Sequence, residues 1–278
     1  MLDNKIIKKI EDFVYKKPRA VQEIAQYIGK NWRTADRYIQ EIEKEYSTIS
    51  TRTFREGTRG ALKIAYWASM EKVSSSVFQE KLAQEIETFR KKEDFSAFDI
   101  YQHVPKKDKK ASVERAESED KTDLNELRYY LNNARKKLLV FTGNLSWINL
   151  KDEKNNIYDV LDKLVKKNVS IKVISRVDIS SLKNIEKLLS LNFKHGKELI
   201  EIRHREQPLR CLIFDNKIAR IKEIKEPTGR LYELNKRTFI FYTIKDKEWV
   251  EWLSRIFWKL FSSSIDQKKR IEELKKLI

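Results

Sequence analysis

The chain has 278 residues, with 59 Lys and Arg against 42 Asp and Glu and a formal net charge of +17 at pH 7. Hydrophobic residues at 40% supply packed cores and exclude a wholly disordered chain, and the length suggests about two domains. The single cysteine, Cys211, excludes an internal disulfide and any cysteine-based metal cluster. The three histidines, His103, His195 and His204, are too far apart in sequence to form a metal-ligand spacing, so neither a metal nor a cofactor is expected. No apolar run approaches the ~18–20 residues of a membrane span, and the start, MLDNKIIKKIEDF, has no signal-peptide core. A soluble, cytoplasmic protein is expected. Its pI ≈ 9.6 favours a polyanionic partner, because each neutralised phosphate releases counterions. The bland alternative is a heat-adapted surface, since 36% charged residues with six Gly and four Pro fit that composition. Glu272 and Glu273 interrupt the lysines of 266–278 and no aromatic accompanies them, which argues against a membrane surface.

Over residues 3–16, Ile6, Ile7, Ile10, Phe13 and Val14 recur at helical spacing, and Pro18 ends the run. VQEIAQYI (21–28) predicts a short helix closed by Gly29, and Asn31 is a natural N-cap for a third helix, WRTADRYIQEIEKEY, with Ala35, Tyr38, Ile39 and Ile42 inward. The period then changes to that of strands at Ile49, Thr51 and Thr53 and at Leu62, Ile64 and Tyr66, around EGTRG. Gly57 and Gly60 flank the hairpin tip.

Helix, short helix, tight turn, longer helix and hairpin, over about residues 1–68, resembles a winged helix-turn-helix. This resemblance implies that third-helix residues Asn31, Trp32, Arg33, Thr34, Arg37 and Tyr38 approach a DNA major groove. Arg33 or Arg37 would make the bidentate guanine contact. The wing residues Arg52, Arg55, Arg59 and Lys63 would grip phosphates or the minor groove. Two alternatives stay open: a fold of this kind used only for protein contacts, and a Tyr38 that belongs to the core.

Residues 73–101 carry Val77, Leu82, Ile86 and Phe89 and predict a connecting or dimerising helix; 104–121, highly charged and almost without large apolar residues, predicts a mobile linker. The expected domains are therefore 1–72, a connector over 73–121, and 122–278. In the last, KLLVFTG (137–143) and VSIKVIS (169–175) alternate with helices. LIEIRH, LRCLIFD, KIARIKEI and RTFIFYTI then precede a final helix over 247–261. The predicted class is α/β, a mixed sheet with covering helices. The aromatic residues Trp249, Trp252, Phe257, Trp258 and Phe261 of the final helix exceed what one face needs, so this region is expected to make a homodimer.

That β-α-β-α-β-β-β-β-α order resembles one half of the phospholipase D superfamily, whose motif is His-x-Lys-x4-Asp. The corresponding stretch here runs from Pro208 through Arg210 and Cys211 to Asp215. Proline stands at the nucleophile position and cannot form a phosphoenzyme, so the resemblance implies a degenerate, non-catalytic domain. A reader of this kind joined to such a domain is similar to archaeal TrmB-type regulators. The resemblance implies a sequence-specific transcriptional regulator that binds duplex DNA as a homodimer and takes a small anionic or phosphorylated effector. The rival readings are an architectural, chromatin-type DNA binder and, less favoured, a phospholipase D-type nuclease. Candidates for the effector are Arg203, His204, Arg205 and Arg210, with Asn144 and Arg176 at strand ends where α/β sheets hold ligands. The alternative is that these arginines pair with Glu201, Glu206 and Asp215 and merely orient strands.

Overall fold

The computed structural model describes residues 2–16, 19–55, 61–67, 77–115, 124–152, 156–226 and 237–276. The chain divides into two units, Met1–Ser74 and Ser75–Ile278.

In the first unit, helix α1 (Asn4–Lys16) is followed by β1 (Arg19–Ala20), α2 (Val21–Ile28), α3 (Trp32–Glu45), β2 (Ile49–Arg55) and β3 (Ala61–Trp67). The helical spacing read from the sequence places Ile7, Ile10, Val14, Ile24, Ala35, Ile39 and Ile42 in one core with Ile49 and Ala65 of the hairpin. The three strands form an antiparallel sheet in the order β1-β3-β2. β1 is too short to show a period in sequence; its backbone pairing, Arg19 opposite Ala65, defines it.

Two local devices set the turn between α2 and α3. Gly29 takes the left-handed conformation (φ 68°), where a side chain is disfavoured, and Lys30 N–H returns to Ala25 C=O at 2.9 Å. Asn31 Oδ1 accepts from Thr34 N–H at 2.9 Å, so the cap forms as predicted. Asn31→Ala is expected to destabilise this unit by about 0.5–2 kcal/mol in urea unfolding, while Asn31→Asp should cost little.

The second unit begins with α4 (Val77–Thr88) and α5 (Phe98–Tyr101), then β4 (Lys109–Arg115), α6 (Asn125–Asn133) and β5 (Lys137–Phe141). Next come α7 (Ile157–Lys166), β6 (Ser170–Ser175), α8 (Leu182–His195), β7 (Ile200–His204), β8 (Cys211–Phe214), β9 (Ile218–Lys225) and β10 (Thr238–Ile244). Helix α9 (Lys247–Ser262), β11 (Ile265–Asp266) and α10 (Gln267–Lys275) complete it. The eight strands lie in the order β11-β7-β6-β5-β8-β9-β10-β4; β5, β6 and β7 are parallel and the remaining pairings antiparallel. The predicted α/β class and mixed sheet are what the chain adopts.

Alternation along β5 separates the two faces. Leu138 and Val140 join the core beneath α6, α7 and α8, whereas Phe141 meets Phe257 of α9 edge-on at 5.2 Å. The hairpin β8–β9 turns at Asp215 and Asn216, both left-handed (φ 52° and 55°), as a tight hairpin turn requires.

Two expectations are corrected. The middle of the segment read as a mobile linker is strand β4, paired with β10 from Lys109 opposite Ile244 to Arg115 opposite Thr238. Its charged sequence, KKASVER, is that of a sheet edge, where lysines discourage further pairing. The aromatics of α9 are not spare surface either: Trp249, Trp252, Phe257, Trp258 and Phe261 are all buried within this unit. The ground offered for dimerisation through that helix is therefore removed.

Candidate functional site

Two basic features stand out, one in each unit. On α3 the first turn and the outer face are solvent-facing: Trp32 is 54% exposed, and Arg33 and Arg37 are exposed as well. The Asn31 cap fixes where this turn begins, and Ala35, Ile39 and Ile42 anchor the opposite side. Arg33 lies against the Trp32 ring (5.7 Å to its centroid) and Arg37 against Tyr38 (5.4 Å), leaving both guanidinium groups on one surface. Tyr38 is half-buried against the core, so the two roles considered for it meet in one side chain. Thr34 is partly buried.

Lys63 stands apart from this face. Its ammonium pairs with Asp36 of α3 at 2.6 Å, so its charge ties the hairpin to the helix. Arg52 and Arg55 are placed by backbone on β2, opposite Ile64 and Ala61. Arg59, Gly57 and Gly60 lie outside the described residues.

The second feature is a cleft of about 440 Å³ where the parallel strands β5 and β6 end. Asn144 and Arg176 enter it from the segments after those strands, Arg205 and Arg210 from the connection between β7 and β8, and Lys222 from β9. Arg210 and Lys222 are neighbours because Cys211 pairs with Ile221, and Lys222 N–H donates to Arg210 C=O at 2.7 Å. Arg210 packs on the bare face of Gly143: a Cβ there would lie 2.8 Å from its terminal nitrogen. Its NH1 also donates to Leu209 C=O at 2.8 Å. The turn carrying Asn144, Ser146 and Trp147 passes through Leu145, a buried residue at φ 62°; such strain gathers at functional turns.

Of the six residues expected to gather, the cleft brings together Asn144, Arg176, Arg205 and Arg210. Arg203 is turned elsewhere: it pairs with Glu201 at 3.0 Å, donates to Phe261 C=O at 3.1 Å and lies over the Phe261 ring at 4.5 Å. The strand-orienting alternative describes this residue well. His204 does not line the cleft; its Nδ1 accepts from Val177 N–H at 2.9 Å. Burial, then the charge of Arg270, hold its pKa below the ordinary imidazole range, outweighing Glu206, Glu273 and Asp178.

The lowered pKa of the half-buried His204 predicts a pH effect. An unfolded chain binds a proton at the ordinary imidazole pKa and the folded chain only below it. The stabilisation is present above the unfolded value and is lost as pH falls through it toward the folded one. Thermal melts from about pH 8 to about pH 5 should show a steeper fall for the parent chain than for His204→Gln. Parallel slopes would refute the assignment.

Pro208 is buried, and burial pushes the Cys211 thiol pKa up, leaving it no thiolate nucleophile. Asp215 lies at the far end of β8 from Arg210, roughly 16 Å along the chain. There its carboxylate accepts from the N–H groups of Arg135, Lys136 and Lys137 at 2.8, 2.8 and 2.9 Å. It anchors the start of β5. Among the described residues, no imidazole lines the cleft and no group of His, Cys, Asp or Glu could hold a metal. No helix among them is long and apolar enough to cross a membrane.

No family model and no curated protein matches the chain. Among solved structures it is similar to Nuc from Salmonella typhimurium, a phospholipase D family member (TM-score 0.40, 12% identity, 56% of this chain and 98% of that one). It is also similar to NucT from Helicobacter pylori (0.40, 14%, 57% and 99%). A third is TrmBL2, described as an archaeal chromatin protein with a novel mode of DNA binding (0.35, 18%, 95% and 94%). Likeness at these TM-scores carries no weight for function; the chain's own residues must carry it.

Sequence reasoning missed Arg90, Lys91 and Lys92, which follow α4 and line the same cleft, and also Lys222, Gln207 and Trp147. Lys222 was within reach: folding LRCLIFDNKIARIK about the Asp215–Asn216 turn puts it beside Arg210. No local signal announced that the FRKKED run after α4 would meet the strand ends.

Proposed function

We propose that the chain is a DNA-binding regulator in which α3 reads duplex DNA and the second unit is a non-catalytic binding domain. The exposed face of α3, with Trp32, Arg33 and Arg37 projecting from a helix fixed by the Asn31 cap and a three-helix core, carries the reading. Arg33 and Arg37 supply the fork that pairs with guanine edges, and the arginines of the β2–β3 hairpin supply phosphate contacts. The net charge of +17 supports a strong counterion-release component. Two copies reading two half-sites would suit a regulator.

The cleft supports binding without turnover. A phosphodiesterase of the resembled kind needs an imidazole to attack phosphorus; here Pro208 takes that place and His204 is engaged with Val177. Purified chain should leave DNA, RNA and phosphodiester reporters intact.

The test is duplex affinity against salt concentration. A steep inverse dependence is expected, and Arg59→Ala should flatten it by about one phosphate contact while weakening all sequences alike. Affinity independent of salt and of this substitution would overturn the reading.

A further inference from the structure

We infer that the cleft at the ends of β5 and β6 holds a small oligophosphate anion, gripped between Arg176, Arg205 and Arg210 on the sheet and Arg90 and Lys91 on the segment after α4. This rests on the reading of the second unit as a binding domain. It names the ligand class and adds a second wall to the site.

Charge and its arrangement carry the inference. Among the described residues, seven basic side chains line the cleft against Glu93 and Glu206. Arg176 is also paired with Asp178 at 2.6 Å and Lys92 with Glu93 and Glu226 at 3.6 Å, so the excess rests on Arg90, Lys91, Arg205, Arg210 and Lys222. One phosphate engages two or three cationic donors, so an excess of this size, drawn from two separate segments, matches a ligand with several phosphates. A volume of about 440 Å³ lies within the range of small-molecule sites. The walls also confront each other with like charge. Arg205 is held in place, donating to Ser263 Oγ at 3.1 Å and to Glu87 C=O at 3.3 Å. Burial lowers its pKa, Glu87 opposes this, and the nearby Arg90 charge adds a smaller downward push. An anion seated between these arginines turns repulsion into attraction on both sides.

Trp147 lines the cleft at 7% exposure, and its indole N–H, like that of the core residue Trp252, has no acceptor among the described residues. A buried donor without a partner costs stability unless a ligand or water satisfies it. Gly143 leaves room for the Arg210 guanidinium at the end of β5; a Cβ there would require the tip of that side chain to shift.

The experiment is calorimetric titration of the full chain with inorganic phosphate and with tripolyphosphate. One tripolyphosphate per chain is expected, at least about tenfold tighter than phosphate. Arg210→Ala should weaken both about tenfold or more, whereas Arg90→Ala with Lys91→Ala should weaken tripolyphosphate about fivefold and leave phosphate unchanged. Should Arg210→Ala fail to fold, Arg210→Gln, which keeps most of the stem and removes the charge, should reproduce its loss. Arg33→Ala should leave tripolyphosphate binding unaltered. No saturable binding, or loss in Arg33→Ala but not in the cleft variants, overturns the inference, as does hydrolysis of the anion. Duplex binding measured on the same samples separates the two readings: anion binding without DNA binding sinks the regulator alone, and the reverse sinks the cleft proposal alone.

Discussion

Trp252→Ala is expected to lower the stability of the second unit by about 3–5 kcal/mol, read as a fall in the urea midpoint at constant slope. The side chain is fully buried and meets Trp249 edge-on at 5.3 Å. Helix α9 covers the face of the sheet opposite α6, α7 and α8, and Phe257 continues its contact onto Phe141. Truncation would leave a cavity the size of an indole with no neighbour free to fill it. If the α9 aromatics served instead to join two chains, the same substitution would shift association with protein concentration and barely move the unfolding of a dilute sample. The stability loss is the outcome that follows from their burial within one chain.

Arg33→Ala and Arg37→Ala are each expected to cost about 1–3 kcal/mol in binding to a preferred duplex and far less on unrelated DNA. Both side chains are exposed, so their loss should leave the unfolding midpoint of the first unit within about 0.5 kcal/mol of the parent. A bidentate guanidinium reads the guanine O6 and N7 acceptors; a lysine offers a point charge without the fork. Arg33→Lys should therefore retain non-specific affinity and lose discrimination. Competition titrations with specific and scrambled duplexes at one salt concentration measure the difference. Equal losses on both would make these residues phosphate contacts only.

The helices of the first unit were legible because their apolar residues repeat at three and four and their ends carry Gly29 and Asn31, local signals that tertiary contacts did not override. The strands of the second unit were legible as short β-branched runs. β4 was not: an edge strand buries little, so KKASVER has the composition of a linker, and only its register with β10 makes it a strand. The same limit applies to α9, whose aromatic circumference signals burial without saying whether sheet or second chain provides it. At the cleft, the resemblance at 208–215 singled out Arg210, which the fold brings into one lining with Asn144 and Arg176. It also drew in Arg203 and His204, which strand pairing sends to other partners. Arg90 and Lys91 come from over a hundred residues earlier, and proximity created by the fold has no signature in local sequence.

The central claim, that α3 reads DNA sequence, is tested most directly by footprinting the full chain on long duplex DNA under conditions of limited occupancy. Discrete protected sites sharing a sequence are expected, lost in Arg33→Ala at concentrations that still give non-specific retention. Uniform protection without preferred sites, unchanged by Arg33→Ala, would contradict it and make the chain an architectural DNA binder.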